Sequence, residues 1–173
     1  MGTRADFYVG RGKDARWLGS IAFDGYPVGT TANDAMRPIW KCTTARDYRS
    51  AVAEFLRRRD DATLPSQGWP WPWEDSGTSD YAYAYDRGAV YFSCFGHGWH
   101  NVVEYLAFQK TCPRAPRDNA SAEAVERYEK RLDAWQAKND EKWEGPKVEF
   151  PNMKLVQNVT YGRRSGVLIV SAK

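Results

Sequence analysis

Tyr81-Ala-Tyr-Ala-Tyr-Asp-Arg-Gly-Ala-Val-Tyr-Phe-Ser-Cys94 has the pattern of a β-hairpin at the centre of the chain. Tyr81, Tyr83 and Tyr85 alternate with Ala82 and Ala84, the period of two of a strand with one aromatic face. Asp86-Arg87-Gly88 is turn chemistry, with glycine supplying a positive φ. Ala89 to Phe95 then returns as a second strand of β-forming residues. The hairpin sits between Trp69-Pro-Trp-Pro-Trp73 and Gly96-His-Gly-Trp-His100, so four of the eight tryptophans lie within residues 69–99.

Working outward, Asp6–Gly10 and Trp17–Phe23 read as an N-terminal hairpin around the basic turn Arg11–Arg16. Asn33–Arg37 predicts a helical turn ended by Pro38. The first full helix is predicted at about 45–60. Thr44 is its N-cap with Asp47 three residues on, and Tyr48, Ala51, Val52, Phe55 and Leu56 form its apolar stripe. Residues 61–79 read as a long Trp/Pro loop, and Asn101–Gln109 as a short helix, with a strand as the alternative. Residues 112–120 read as a Pro-rich linker. A second main helix is expected at about 121–144, its narrow seam of Val125, Tyr128, Leu132 and Trp135 placing it on the surface. Lys154–Tyr161 and Val167–Ser171 read as a third hairpin. These elements predict one α+β domain over 1–173: a largely antiparallel sheet built from hairpins, with helices on one face.

Composition narrows the function classes. At 173 residues the chain can bury a core without disulfide or metal staples. No apolar run reaches the length of a membrane span. The opening Met-Gly-Thr-Arg-Ala-Asp6 has no apolar signal core, and three widely spaced cysteines (Cys42, Cys94, Cys112) suit reduced thiols, so a cytoplasmic chain is expected. A net charge of +3 is too small to argue for nucleic acid. Its distribution is uneven: residues 1–60 carry 11 basic and 7 acidic side chains, and residues 61–120 carry 4 and 7. There is no strand–glycine loop–helix unit for a dinucleotide and no Cys-x-x-Cys, so no cofactor or metal is expected.

Several residues are candidates for chemistry or binding. His97 and His100, with Glu104 nearby, are the acid–base or metal alternative, though they lack a His-x-x-x-His pattern. A cysteine nucleophile is the weaker version, since Cys94 sits inside an aromatic strand. Trp69, Trp71 and Trp73 are candidate binding residues because flat rings dominate interface energetics, with packing against the sheet as the competing role. Arg11, Lys13 and Arg16 crowd one turn, and Arg57, Arg58 and Arg59 crowd a helix end. Either set could meet an anionic partner, with solvated charge as the plain alternative.

Thr3-Arg-Ala-Asp-Phe-Tyr-Val-Gly-Arg-Gly12, Trp17-Leu-Gly-Ser-Ile-Ala-Phe-Asp-Gly-Tyr-Pro27, Trp69-Pro-Trp-Pro-Trp-Glu74 and Asp80-Tyr-Ala-Tyr-Ala-Tyr85 resemble a group of small proteins of phages and mobile elements of proteobacteria. The resemblance spans roughly residues 1–100 and carries no catalytic motif. It implies an accessory protein acting on host machinery, including inhibitors of CRISPR systems and other defences. The resulting expectation is a non-enzymatic protein that binds a host protein or ribonucleoprotein. A small enzyme or nucleotide-binding protein using His97, His100 and Glu104 is the rival, and nucleic-acid binding through the basic loops is third.

Overall fold

The structure, a computed structural model, describes residues 2–27, 31–154, 162–164 and 167–169. Six strands form one sheet: β1 (Ala5–Val9), β2 (Arg16–Ile21), β3 (Ala62–Thr63), β4 (Tyr81–Asp86), β5 (Ala89–Cys94) and β6 (His97–Asn101), in the order β3-β2-β1-β4-β5-β6. The helices are α1 (Thr31–Trp40), α2 (Ala45–Arg57), α3 (Val102–Gln109) and α4 (Ala122–Trp143). A short pair, β7 (Gly162–Arg164) and β8 (Val167–Ile169), stands apart from the main sheet. The fold class is α+β.

The central β4–β5 hairpin closes on Arg87 (φ 46°) and Gly88 (φ 88°), so both turn residues are left-handed, as the right-handed twist of the strands demands. Four of the five pairings in the main sheet are antiparallel. The exception is the middle one, β1 with β4, which runs parallel and aligns Phe7 with Tyr83. A parallel pair needs a crossover, and residues 22–80 supply it as α1, α2, β3 and the Trp/Pro loop.

Both faces of this sheet are covered. Phe7, Ile21, Tyr83, Val90 and Phe92 pack against Met36, Ile39, Tyr48, Val52, Phe55 and Leu56 of α1 and α2. Each large side chain so buried stabilises the fold by about 1.5–3 kcal/mol. The tyrosines on this face still satisfy their hydroxyls: Tyr83 donates to the Gly25 carbonyl at 2.8 Å and Tyr85 to that of Thr43 at 2.6 Å. Gly19 (φ 142°) lies where β2 passes beneath α2. A Cβ there would sit 2.6 Å from Leu56 Cδ1 and 2.8 Å from the Thr63 carbonyl.

The opposite face carries Tyr8, Trp17, Ala82 and Ala84, and here the Trp/Pro loop and Phe150–Met153 provide the cover. The small Ala82 and Ala84 leave room for this second layer. Trp69 meets Trp17 edge to face, with ring centroids 5.3 Å apart. The loop is held by one buried carboxylate. Asp6 accepts from Ser20 Oγ (2.5 Å) and Trp71 Nε1 (2.8 Å) on one oxygen, and from Ser76 and Ser79 Oγ (both 2.6 Å) on the other. Trp17 Nε1 donates in turn to Ser20, and the Tyr8 hydroxyl bonds Ser76.

Several expectations change. α1 continues through Pro38 rather than ending before it, because a proline disturbs only the hydrogen bond its own nitrogen would make and the ring's neighbours one turn back. His97–Asn101 is a sixth strand, returning from β5 through a tight turn at Phe95 (φ 46°) and Gly96 (φ 72°). The 61–79 loop contains β3 and single 3₁₀ turns at Pro65–Gln67 and Ser76–Thr78. The short helix expected at Asn101–Gln109 forms over Val102–Gln109, with Asn101 Oδ1 accepting from the amides of Val103 and Glu104. α4 starts at its Ser121 cap and buries no residue. The strand expected at Lys154–Tyr161 falls mostly outside the described residues; the terminal hairpin's first strand is 162–164. Among the described residues no helix is long and apolar enough to cross a membrane.

Asp61 ties the β2 exit to α2. It accepts from the amides of Ala22 (3.0 Å) and Phe23 (2.9 Å) and pairs with Arg59 at 2.7 Å. Burial alone would raise its carboxyl, but the hydrogen bonds from Arg59 and the two amides outweigh burial and hold it below the ordinary aspartate value. A depressed folded-state value means the unfolded chain takes up the proton first, so the contribution of Asp61 is present above pH 3.8 and lost on acidification below it. Urea midpoints measured against pH should therefore fall less steeply in Asp61→Asn than in the parent over that acid limb. Parallel limbs would exclude this linkage.

Candidate functional site

The first turn of α2 is set by Thr44, whose Oγ1 accepts from the Asp47 amide at 3.1 Å. From there Tyr48, Val52, Phe55 and Leu56 face the sheet. Helical spacing then sends Arg49, Ala53 and Arg57 along one outer edge of α2, at i, i+4 and i+8. That edge faces Arg16 and Leu18 of β2 and the Leu64–Ser66 turn across an open groove of about 510 Å³.

The groove has two chemistries. Its apolar floor comes from half-buried Leu18 and from Ala53, Leu64 and Pro65, all exposed, with Leu64 40 % exposed; Val52 and Leu56 lie beneath it in the core. Its rim carries the guanidinium groups of Arg16, Arg49 and Arg57, all exposed. Arg57 pairs with Glu54 at 2.9 Å, and Arg58 also binds Glu54. Hydrogen bonds from Arg57 and then Arg58 hold the Glu54 carboxyl below its usual range. Arg16 and Arg49 make no ion pair or side-chain hydrogen bond among the described residues. Among the described residues no carboxylate lines the groove. Such a surface recognises an anion carried next to apolar groups, since guanidinium forks match carboxylates and phosphates while the floor takes hydrocarbon.

The basic candidates are thus separated. Arg11 bonds Asp86 at 3.0 Å and lies 3.9 Å over the Tyr91 ring, fastening one hairpin turn to the other. Lys13 pairs with Glu149 at 3.2 Å on the surface. Arg16 and Arg57, far apart in sequence, both line the groove, and Arg58, outside it, shares Glu54 with Arg57. Sequence reading did not single out Arg49. The signal available for it was its spacing of eight residues from Arg57 on the polar side of a well-defined helix.

The tryptophans are placed largely by packing. Trp69 is 8 % exposed and donates to the Trp73 carbonyl at 2.8 Å, so its ring is not offered to solvent. Trp71 and Trp73 are half-buried and stacked at 5.6 Å, with the Arg4 guanidinium over both. Asp6, also unmarked as a candidate, is the polar centre of this face; a carboxylate inside the apolar run Ala5–Val9 was the visible sign of it.

His97 is exposed, with Nδ1 3.2 Å from the Gly145 carbonyl. His100 packs among Phe92 and Trp143, and burial holds it below the ordinary histidine range. Glu104 is exposed in the first turn of α3. Among the described residues no group of three or more His, Cys, Asp or Glu side chains could hold a metal ion. The three thiols are free, and burial pushes those of Cys42 and Cys94 up, the direction opposite to nucleophile activation. No protein-family model, curated protein or solved structure matches the chain.

Proposed function

We propose that this chain is a non-enzymatic binding protein of a phage or mobile element. In this reading it acts in the bacterial cytoplasm by occupying a host protein or ribonucleoprotein, as an inhibitor of a defence system of the CRISPR kind. The observation that carries the binding role is the groove beside α2, where Arg16 and Arg49 stand without an acidic partner over an aliphatic floor. Arginine placed at the edge of an apolar pocket is the composition of an interface hot spot. The phage context rests on the resemblance of the N-terminal and Trp-rich runs, and no cofactor enters the reading.

The test is affinity capture from host lysate with the tagged parent and with Arg16→Glu/Arg49→Glu, identifying both proteins and nucleic acids that co-purify. A specific host partner should be recovered by the parent and lost, or reduced at least about tenfold, with the variant. Both side chains are exposed, so the variant should melt with the parent. Equal recovery of the same partners by both proteins would remove the groove from the function.

A further inference from the structure

We infer that the groove takes an extended acidic–apolar protein segment, with an aliphatic side chain on the floor and carboxylates on the arginine rim. This rests on the binding reading above and names the chemistry of the partner. Arg49 and Arg57 are eight residues apart on α2, which places their positions about 12 Å apart along the helix at 1.5 Å per residue. An extended chain advances about 3.3 Å per residue, so carboxylates roughly three to four residues apart span the same distance. The residue between them then lies against the accessible apolar surface of Leu18, Ala53 and Leu64. Arg16, coming from β2 on the far wall, is placed to hold a third acidic group or the chain's own carbonyls.

The floor chooses between classes of partner. A nucleic-acid strand would offer phosphates to the same guanidiniums. It would then need aromatic platforms for its bases, and among the described residues none that lines the groove is aromatic. Leu18 and Leu64 instead suit an aliphatic side chain, whose burial is favourable while a sugar or base edge would be desolvated without partners. Charge is complementary in detail as well. Glu54 already balances part of Arg57, which leaves Arg16 and Arg49 as the two rim groups with unmatched charge.

The experiment is fluorescence polarisation with the full chain and three labelled probes at low salt. The first is an unstructured peptide with two glutamates about four residues apart flanking a leucine. The second is the same peptide with glutamine in place of glutamate, and the third is a single-stranded RNA. The expected result is saturable binding of the first probe only, weakening as salt is added. Arg16→Glu and Arg49→Glu should each reduce it about tenfold or more, and Leu64→Ser should reduce it at unchanged charge. Circular dichroism melts of the three variants should coincide with the parent's. Equal binding of the glutamine peptide, or indifference to Arg49→Glu, would overturn the proposal. So would RNA binding that the same arginine substitutions abolish. If host capture still depends on Arg16 and Arg49 while the acidic peptide fails, the partner chemistry is wrong and the binding role stands. If host capture is also indifferent to them, both fall.

Discussion

Asp6→Ala should lower the stability of the fold by about 3–5 kcal/mol, read as a large drop in urea midpoint and melting temperature. The size follows from what is left behind. Asp6 is fully buried, and Ser20, Ser76, Ser79 and Trp71 all direct their donors at it. Removing the shared acceptor strands those donors in a site without water access, each at a cost of about 1–3 kcal/mol where no new partner is found. The carboxylate itself is not a strong stabiliser. Burial raises its titration point above the ordinary aspartate value, against the four hydrogen bonds that favour the charged form. The folded chain therefore keeps this proton in a window above pH 3.8 where the unfolded chain has lost it, and stability falls as pH rises through that window. The sign is opposite to that at Asp61. Asp6→Asn should flatten the Asp6 dependence and cost less than Asp6→Ala, since one acceptor oxygen is kept. A fully stable Asp6→Ala protein would show that this network does not hold the loop.

Trp69→Ala should be the second large effect, about 3–5 kcal/mol of lost stability, with partner affinity of the folded fraction unchanged. Its ring fills the space over Trp17 and its indole nitrogen closes the loop on the Trp73 carbonyl. Trp71→Phe keeps much of the packing and loses the 2.8 Å bond to Asp6, so a smaller destabilisation of about 1–3 kcal/mol is expected. The contrast with the groove is the useful part. Arginine substitutions at positions 16 and 49 should change affinity and leave the melt alone, whereas Trp69→Ala should do the reverse. Affinity lost in Trp69→Ala at full stability would return this tryptophan to the interface.

Local patterns were legible where a side chain's role is set by its near neighbours. The Tyr/Ala alternation, the Arg87-Gly88 turn, the Thr44 and Ser121 caps and the stripe from Tyr48 to Leu56 all lie within one strand or helix. Each therefore appears as a period or a spacing. The sixth strand did not, because Gly96, Gly98 and two histidines carry little β-propensity. Those residues are ordered by pairing with Tyr91 to Cys94 and by contacts with residues 145–148 that are distant in sequence. The Trp/Pro loop could be read as an interface or as packing. Its own composition does not decide between them, because burial depends on what lies opposite.

The α+β class, the central hairpin, the main helices and the lack of a long apolar run in the sequence follow from contiguous residues, since periodicity and capping are local properties. Long-range packing set the parallel pairing of β1 with β4, the room that Ala82 and Ala84 leave for the tryptophans, and the tie from Asp6 to the 71–79 segment. It also decided that Arg16, Arg49 and Arg57 share one groove, that Arg57 and Arg58 share Glu54, and that Arg11 and Lys13 turn to Asp86 and Glu149. The physical reason is the same in each case. Burial, hydrogen-bond satisfaction and charge pairing are settled by residues that come together across the sheet, and their separation along the chain carries no record of it.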